Sequence, residues 1–192
     1  MRPDQKNHIL PDVLAHGLKV VFCGSAAGTK SAKLGLPYAG PGNKFWPALY
    51  AAGFTSTQWG PADFQNLPTL GYGLTDINKT EFGMDTDLTD GDDPDALRRK
   101  IVTFKPRILA FTSKRPAMVF LARKRVDYGF QDESVGETRL AIEQRIRGFV
   151  VAFEIARVGE IGLAHGLMAS ASARHCAISQ NDPARPEGEG ST

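Results

Sequence analysis

Three short apolar runs are spaced along the chain. Residues 18–23 read Leu-Lys-Val-Val-Phe-Cys, residues 71–77 read Gly-Tyr-Gly-Leu-Thr-Asp-Ile, and residues 107–112 form the third run. Apolar runs of this length that are bounded by glycine, proline or polar residues are typical of buried β-strands. The pattern therefore predicts three strands, with polar groups at the carboxyl end of the second.

Helical patterns lie between these strands. One begins near Asn43, one covers 95–104 with acidic residues in its first turn, and one covers 113–121. A turn at Gly136 leads into a fourth strand. Strands that alternate with helices predict a three-layer α/β domain over residues 1–163, with a short, mostly parallel central sheet flanked by helices. Functional residues are expected at the carboxyl ends of the strands.

Composition supports a single folded domain. The 192 residues are 42% hydrophobic and 23% charged, which excludes both a disordered chain and a fibrous repeat. The 20 glycines and 12 prolines indicate shaped loops rather than a bundle of long helices. Residues 141–163 mix apolar and charged positions in a way that a helix allows, and 164–192 has the composition of a flexible tail.

The two cysteines, Cys23 and Cys176, lie far apart in the sequence. They build neither a disulfide framework nor a Cys-x-x-Cys site, which fits a reducing compartment. No apolar run approaches the length of roughly 18 residues that a membrane span needs. We therefore expect a cytoplasmic protein that does not enter a membrane.

A glycine-rich loop and an aromatic segment follow the first strand. Gly24 to Gly28 reads Gly-Ser-Ala-Ala-Gly, and residues 35–46 read Gly-Leu-Pro-Tyr-Ala-Gly-Pro-Gly-Asn-Lys-Phe-Trp. This stretch resembles the start of the uracil-DNA glycosylase superfamily. It is most similar to the mismatch-specific uracil/thymine branch, which has a strand, then G-I-N-P-G, then P-F-A-x-P-x-N-[RK]-F-W.

Three further segments fit the same family in its order and spacing, so that the resemblance covers roughly residues 13–140. They are Ala51-Ala-Gly-Phe54, Gly71-Tyr-Gly-Leu-Thr-Asp76, and the segment from Lys105 to Lys114.

The resemblance implies a monofunctional DNA glycosylase that initiates base excision repair. Such an enzyme turns a damaged base out of DNA and hydrolyses its N-glycosidic bond. The substrate implied is uracil, with hypoxanthine and xanthine as further deaminated bases, and the expected state is a monomer without a cofactor. The backbone of Gly24, Ser25, Ala26, Ala27 and Gly28 would form the floor of the base pocket.

The sequence departs from the family in its side chains for the reaction, because the family's water-positioning Asn falls on Ala26. An alanine side chain cannot hold a water molecule. Asn43 is the first candidate to replace it, since a hypoxanthine-acting branch uses the Asn of its own P-x-N-x-F-W motif. Asp76 is the second candidate, and Ser25 and Asn78 are weaker ones. The alternative roles are a helix cap for Asn43 and a brace of the following turn for Asp76.

Tyr38 falls where the family stacks an aromatic ring on the base. A tyrosine in a surface loop is the alternative. Residues 98–125 contain ten Lys and Arg and no acid, although the whole chain has a net charge of only +2. Lys114 and Arg115 are the candidates in this stretch for contact with DNA phosphates, and a solvated basic face is the alternative. With two cysteines, the chain cannot hold the iron–sulfur cluster of some family branches.

The family's second motif, [HN]-P-S-x-L, has no match after Leu140. Together with Ala26, this departure favours one alternative function, a non-catalytic binder of uracil-containing or abasic DNA. An unrelated nucleotide-binding α/β protein is less well supported, because residues 24–46 fit no P-loop or dinucleotide fingerprint.

Overall fold

The computed structural model describes residues 8–143. Five strands form one sheet in the order β2-β1-β3-β5-β4. Neighbouring strands are parallel except β4 and β5, which are antiparallel. The mostly parallel sheet expected from the sequence is confirmed. The strands are β1 (Val20–Gly24), β2 (Tyr72–Asp76), β3 (Ile108–Phe111), β4 (Gly129–Val135) and β5 (Thr138–Ile142).

Four α-helices and one 3₁₀ helix connect the strands. They are α1 (Thr29–Leu34), α2 (Phe45–Ala51), the 3₁₀ helix Pro61–Leu70, α3 (Pro94–Phe104) and α4 (Lys114–Phe120). The start of α3 is fixed by its sequence, because the Asp93 side chain accepts a hydrogen bond of 2.7 Å from the Ala96 N–H. Pro94 at the first helical position needs no such partner. None of the helices in the described range is long and apolar enough to cross a membrane.

Successive residues of β1 face opposite sides of the sheet and so build two cores. Val20 and Phe22 pack with residues of α2 and the 3₁₀ helix, while Val21 and Cys23 pack with residues of α3 and α4. All of β1 is buried, as expected for the central strand of a parallel sheet. Helices therefore cover both faces, and the predicted three-layer α/β architecture is confirmed.

The segment before β1 covers the free edge of β2. Val13 and Leu74 exchange two backbone hydrogen bonds, of 2.9 and 3.0 Å. The neighbouring Gly73 lies directly beneath this crossing, where a Cβ atom would stand 2.5 Å from the Val13 carbonyl oxygen. This contact fixes the position of the N-terminal segment relative to the end of β2.

The region after α4 differs in detail from the prediction. The turn at Gly136, with φ of 59°, joins two antiparallel strands rather than leading into a single one. The sequence did not predict β4, because Val135 is its one buried residue and the strand therefore lacks an apolar run. Ala141 and Ile142, placed in a possible helix over 141–163, belong to β5. The rest of that stretch and the tail expected over 164–192 lie outside the described residues.

Replacing Gly73 by alanine tests the crossing of the N-terminal segment over β2. We expect Gly73→Ala to lower the free energy of unfolding by about 1–3 kcal/mol, because the added methyl group must displace backbone. The measurement is chemical denaturation followed by circular dichroism. Gly40→Ala is the matched control, since nothing lies within 4 Å of a Cβ there; an equal loss in both variants would contradict the prediction.

Candidate functional site

The loop from Gly24 to Gly28 lies at the carboxyl edge of the sheet, between β1 and α1. Three backbone hydrogen bonds tie it to the segment after β2: Ile77 N–H to Gly24 O (3.0 Å), Asn78 N–H to Ser25 O (2.9 Å) and Gly83 N–H to Ala27 O (2.9 Å). Within the described residues, the N–H groups of Ser25 and Ala26 donate to no acceptor. The loop is therefore held by its carbonyl groups, while the N–H groups of Ser25 and Ala26 remain available.

Gly24 is the point at which two predicted site residues meet. The parallel register pairs Gly24 with Asp76. A Cβ atom at Gly24 would stand 2.5 Å from Oδ1 of Asp76 and 3.1 Å from the hydroxyl oxygen of Tyr38. The structure thus brings Asp76 and Tyr38 together from distant parts of the sequence, and the absence of a side chain at Gly24 makes this approach possible.

The ring of Tyr38 stacks on the ring of Phe45, with centroids 3.9 Å apart and planes 13° from parallel. Its backbone has a φ of 56°, in the left-handed region that side chains seldom adopt. The loop is secured nearby, since Trp46 Nε1 donates to the Pro37 carbonyl (3.1 Å) and the Ala39 N–H donates to Ser31 Oγ (3.0 Å). Phe45 therefore occupies one face of the Tyr38 ring, and the predicted stacking on a base concerns the other face.

Asn43 precedes α2 by two residues. Its Oδ1 accepts a hydrogen bond of 2.9 Å from the Phe45 N–H, which forms an Asx turn one residue before the N-cap position, occupied by Lys44. The helix cap weighed against catalysis is thus not formed by Asn43, whose side chain instead braces the turn that leads into α2. A water-orienting role for Asn43 stays a prediction.

Asp76 lies near charged groups from separate segments of the sequence, which sequence reasoning did not connect with it. The Lys79 ammonium lies 3.8 Å from Asp76 Oδ2 and 3.0 Å from Asp12 Oδ1. Lys100 on α3 lies 2.7 Å from Asp12 Oδ2, and the Thr75 hydroxyl donates to Asp12 Oδ1 at 2.7 Å. We call Asp12, Asp76, Lys79 and Lys100 the buried charge cluster.

The members of the buried charge cluster are almost closed to solvent. The side chain of Asp12 is 2% exposed, that of Lys79 8%, and those of Lys100 and Asp76 14% each. Burial works to raise the pKa of Asp12, but Lys79 and Lys100 outweigh it and the pKa is lowered. Burial raises the pKa of Asp76, and Lys79 opposes this only in part. Asp76 is thus the carboxylate less well compensated by cations.

A cavity of about 620 Å³ borders the buried charge cluster on the α3 side, and Asp76, Lys79 and Lys100 are in its lining. Tyr38 and Asn43 do not line it. Asp76 is the sole predicted site residue that borders this cavity among the residues described here.

Asn78 and Glu81 shape the acidic loop that follows β2. Asn78 Oδ1 accepts from the N–H groups of Thr80 and Glu81, and its amide donates to Glu81 Oε2 at 2.6 Å. Glu81 also accepts from the N–H groups of Thr89 and Gly91 and from the Thr89 hydroxyl. These hydrogen bonds, with that from the Thr89 hydroxyl first, lower the pKa of Glu81 to about 2. Asn78, a weak candidate for the water, is thus engaged in holding the loop.

The two predicted DNA contacts lie at the start of α4. Arg115 forms a bidentate ion pair with Asp92, at 3.2 and 2.8 Å. The Lys114 ammonium lies 4.4 Å from the centre of the Tyr128 ring, a cation–π contact. Arg115 is therefore held by Asp92, while the Lys114 ammonium lies over an aromatic ring. Contact of either residue with DNA stays a prediction.

Two further residues at this edge were not found from the sequence. The Thr112 hydroxyl donates to the Cys23 carbonyl oxygen at 3.3 Å, next to the loop. Glu143 follows β5, its N–H donates to the Phe111 carbonyl (2.8 Å), and burial raises its pKa to about 7. Cys23 itself is fully buried with a raised pKa, in line with inert packing. No group of three or more potential metal ligands occurs within residues 8–143.

The fold and the site define an α/β protein whose functional groups gather at the carboxyl edge of a parallel sheet, where such proteins bind their ligands. A family model described as the uracil DNA glycosylase superfamily matches residues 11–174. The chain belongs to that superfamily. Membership supports a DNA glycosylase, a hydrolase of DNA repair that acts on DNA. The monomeric state and the cytoplasmic location expected from the sequence stay predictions.

The low pKa of Glu81 gives a test of the acidic loop. Because its folded pKa lies below the ordinary value, the contribution of Glu81 is complete above about pH 4.3 and is lost as the pH falls toward 2. We expect a carboxyl ¹³C NMR titration to place its midpoint near 2.

Two variants accompany this titration. Glu81→Gln should speed amide hydrogen exchange at Thr89 and Gly91, because an amide cannot accept all of these hydrogen bonds. The matched variant Glu137→Gln, at an exposed position of the β4–β5 turn, should leave that exchange unchanged. A Glu81 midpoint near 4 would contradict the account.

Proposed function

We propose that this protein removes uracil from DNA by hydrolysing the N-glycosidic bond, as a monofunctional glycosylase that initiates base excision repair. The observation that carries the proposal is the approach of the Tyr38 hydroxyl and the Asp76 carboxylate to the backbone of Gly24. An aromatic ring, a carboxylate and available N–H donors at one edge of the sheet are the groups that this reaction needs.

The chemistry assigns a task to each group. As the bond from C1′ to the base breaks, positive charge develops on the sugar and negative charge on the departing base. The Asp76 carboxylate stabilises the sugar and accepts a proton from the attacking water. The N–H groups of Ser25 and Ala26 donate to the base as its negative charge grows. Backbone donors suit this task because they need no reorganisation during the reaction.

Geometry supports Asp76 ahead of Asn43 as the group that orients the water, which reverses the order expected from the sequence. Asn43 Oδ1 already accepts from the Phe45 N–H. A carboxylate is also the stronger acceptor, and Asp76 Oδ1 lies beside Gly24. Asn43 keeps its amide group for contact with the base or sugar.

The small side chains of Ala26 and Ala27 support a pocket that admits more than one base. An alanine in place of the family's Asn leaves room for a purine. Hypoxanthine and xanthine are therefore proposed as further substrates, since both arise by deamination, as uracil does.

A second candidate function is a module that binds uracil-containing or abasic DNA without cutting it. The replacement of the family's Asn by Ala26 favours it, as does the lack of an [HN]-P-S-x-L match. The residues after 143, where that motif is expected, lie outside the described range.

An excision assay separates the two functions. Oligonucleotides that contain uracil, hypoxanthine or xanthine are incubated with the protein, and abasic sites are revealed by cleavage in alkali. We expect release of uracil and of at least one purine by the wild type. Asp76→Asn should lower the rate on the order of 100-fold or more, as expected for a general base, and Asn43→Ala should lower it less.

Asp132→Asn is the matched control, because this exposed residue lies on β4 and should leave the rate unchanged. Binding without release by the wild type would support the non-catalytic module. Release of uracil alone would refute the broad substrate range.

The ring of Tyr38 is tested by two substitutions. Tyr38→Phe keeps the ring and its stack on Phe45, so the affinity for uracil-containing DNA should remain close to that of the wild type. Tyr38→Ala removes a stacking surface worth on the order of 1–3 kcal/mol and should weaken binding about tenfold or more. Fluorescence anisotropy measures both. Tyr50→Ala, at an exposed tyrosine of α2, is the control, and equal affinities of Tyr38→Ala and Tyr50→Ala would contradict stacking.

A further inference from the structure

The buried charge cluster forms a chain of contacts that ends at the proposed site. Lys100 contacts Asp12, Asp12 contacts Lys79, and Lys79 contacts Asp76. The chain joins α3, the N-terminal segment and the end of β2. Its position follows from the fold, because the crossing of Val13 over Leu74 places Asp12 next to Thr75.

A cluster of this kind is costly to bury. Removing a charged group from water costs several kcal/mol, which is recovered only by close pairing and hydrogen bonds. Asp12 forms ion pairs with two ammonium groups, at 3.0 and 2.7 Å, and accepts a hydrogen bond from the Thr75 hydroxyl. Within residues 8–143, the one ion pair of Asp76 is that with Lys79, at 3.8 Å. The pairing is therefore uneven, and the weaker end of the chain is the carboxylate beside Gly24.

We propose that Lys79 is a positioning residue that keeps the Asp76 carboxylate ionised and directed toward Gly24, with Asp12 and Lys100 fixing the Lys79 ammonium. This inference rests on the proposed role of Asp76 in base release. Lys79 is suited to the task because Asp12 holds its ammonium group at 3.0 Å while it remains within 3.8 Å of Asp76. An ammonium group free to move would reach solvent and leave Asp76 without compensation.

Each group around Asp76 either raises or lowers the pKa of its carboxyl group. Burial raises the pKa of Asp76, Lys79 lowers it, the negative charge of Asp12 raises it, and Lys100 lowers it from farther away. Burial, and then the negative charge of Asp76, raise the pKa of the Cys23 thiol on β1, so this thiol stays neutral.

The Tyr38 hydroxyl approaches Asp76 beside Gly24. The cavity that Asp76 borders is also lined by the ionisable residues His8, Asp90, Asp92, Asp93 and Arg99. All of these groups remain in every variant below, so the comparison isolates the two lysines.

The experiment compares Lys79→Met with Lys100→Met. Both remove one cation from Asp12, but only Lys79 contacts Asp76. The Asp76 carboxyl is followed by ¹³C NMR titration, assigned with Asp76→Asn, and uracil release is measured against pH. In Lys79→Met the Asp76 midpoint and the acidic limb of the rate profile should both rise by about one pH unit or more, as expected when an opposite charge within 4–6 Å is lost. Lys100→Met should shift them less.

Two further readouts exclude a merely structural role. At neutral pH, Lys79→Met should lower kcat while KM for the oligonucleotide stays within about twofold, since the lysine acts on the chemical step. Lys79→Arg, which keeps the charge, should restore the midpoint. Circular dichroism and thermal unfolding establish that each variant is folded, and Lys79→Gln replaces Lys79→Met if the latter does not fold.

Equal shifts in Lys79→Met and Lys100→Met, or no shift in either, would overturn the inference. Failure of the proposed function would look different, because the wild type would then release no base. The NMR titration would still decide whether Lys79 controls the ionisation of Asp76.

Discussion

The candidate site depends on the parallel register of β1 with β2. Because Gly24 is paired with Asp76, the carboxylate at the end of one strand lies against the backbone at the end of the next. The space it occupies exists only because Gly24 has no side chain, since a Cβ atom would stand 2.5 Å from Asp76 Oδ1. The Tyr38 hydroxyl reaches the same point, and the Tyr38 ring is stacked on the ring of Phe45. The strand register, Gly24 and the aromatic stack thus together determine the position of the candidate site.

The charges around the candidate site determine whether the Asp76 carboxyl group is ionised. A buried carboxylate without compensation would hold a proton at neutral pH, and a protonated Asp76 could neither accept a proton from water nor stabilise a cationic sugar. The buried charge cluster supplies part of this compensation through the Lys79 ammonium. It in turn depends on the crossing of Val13 over Leu74, which brings Asp12 to the end of β2. Stability of the fold and chemistry at the site are therefore coupled through the N-terminal segment.

Much of this arrangement could be predicted from the sequence. The strands β1, β2 and β3 are apolar runs, and local pattern is enough to find such runs. The family motif pointed to Tyr38 and Asn43, because motif residues keep their spacing. Asp12, Lys79 and Lys100 could not be found in this way. They lie in separate segments, and each looks like an ordinary surface charge until the fold brings them together.

The strand β4 could not be predicted from the sequence for a related reason. It is stabilised by pairing with β5 and buries little apolar surface, so its residues carry no clear alternation. The role of Asn78 was also hidden, since its hydrogen bonds to Glu81 exist only once the loop after β2 has closed.

The most direct test of the central claim is a crystal structure with DNA that contains a uridine fluorinated at C2′, because the electron-withdrawing fluorine slows cleavage. The account predicts uracil stacked on the Tyr38 face opposite Phe45, with C1′ beside the Asp76 carboxylate. A base that remains in the helix, or that binds in the cavity on the α3 side, would contradict it.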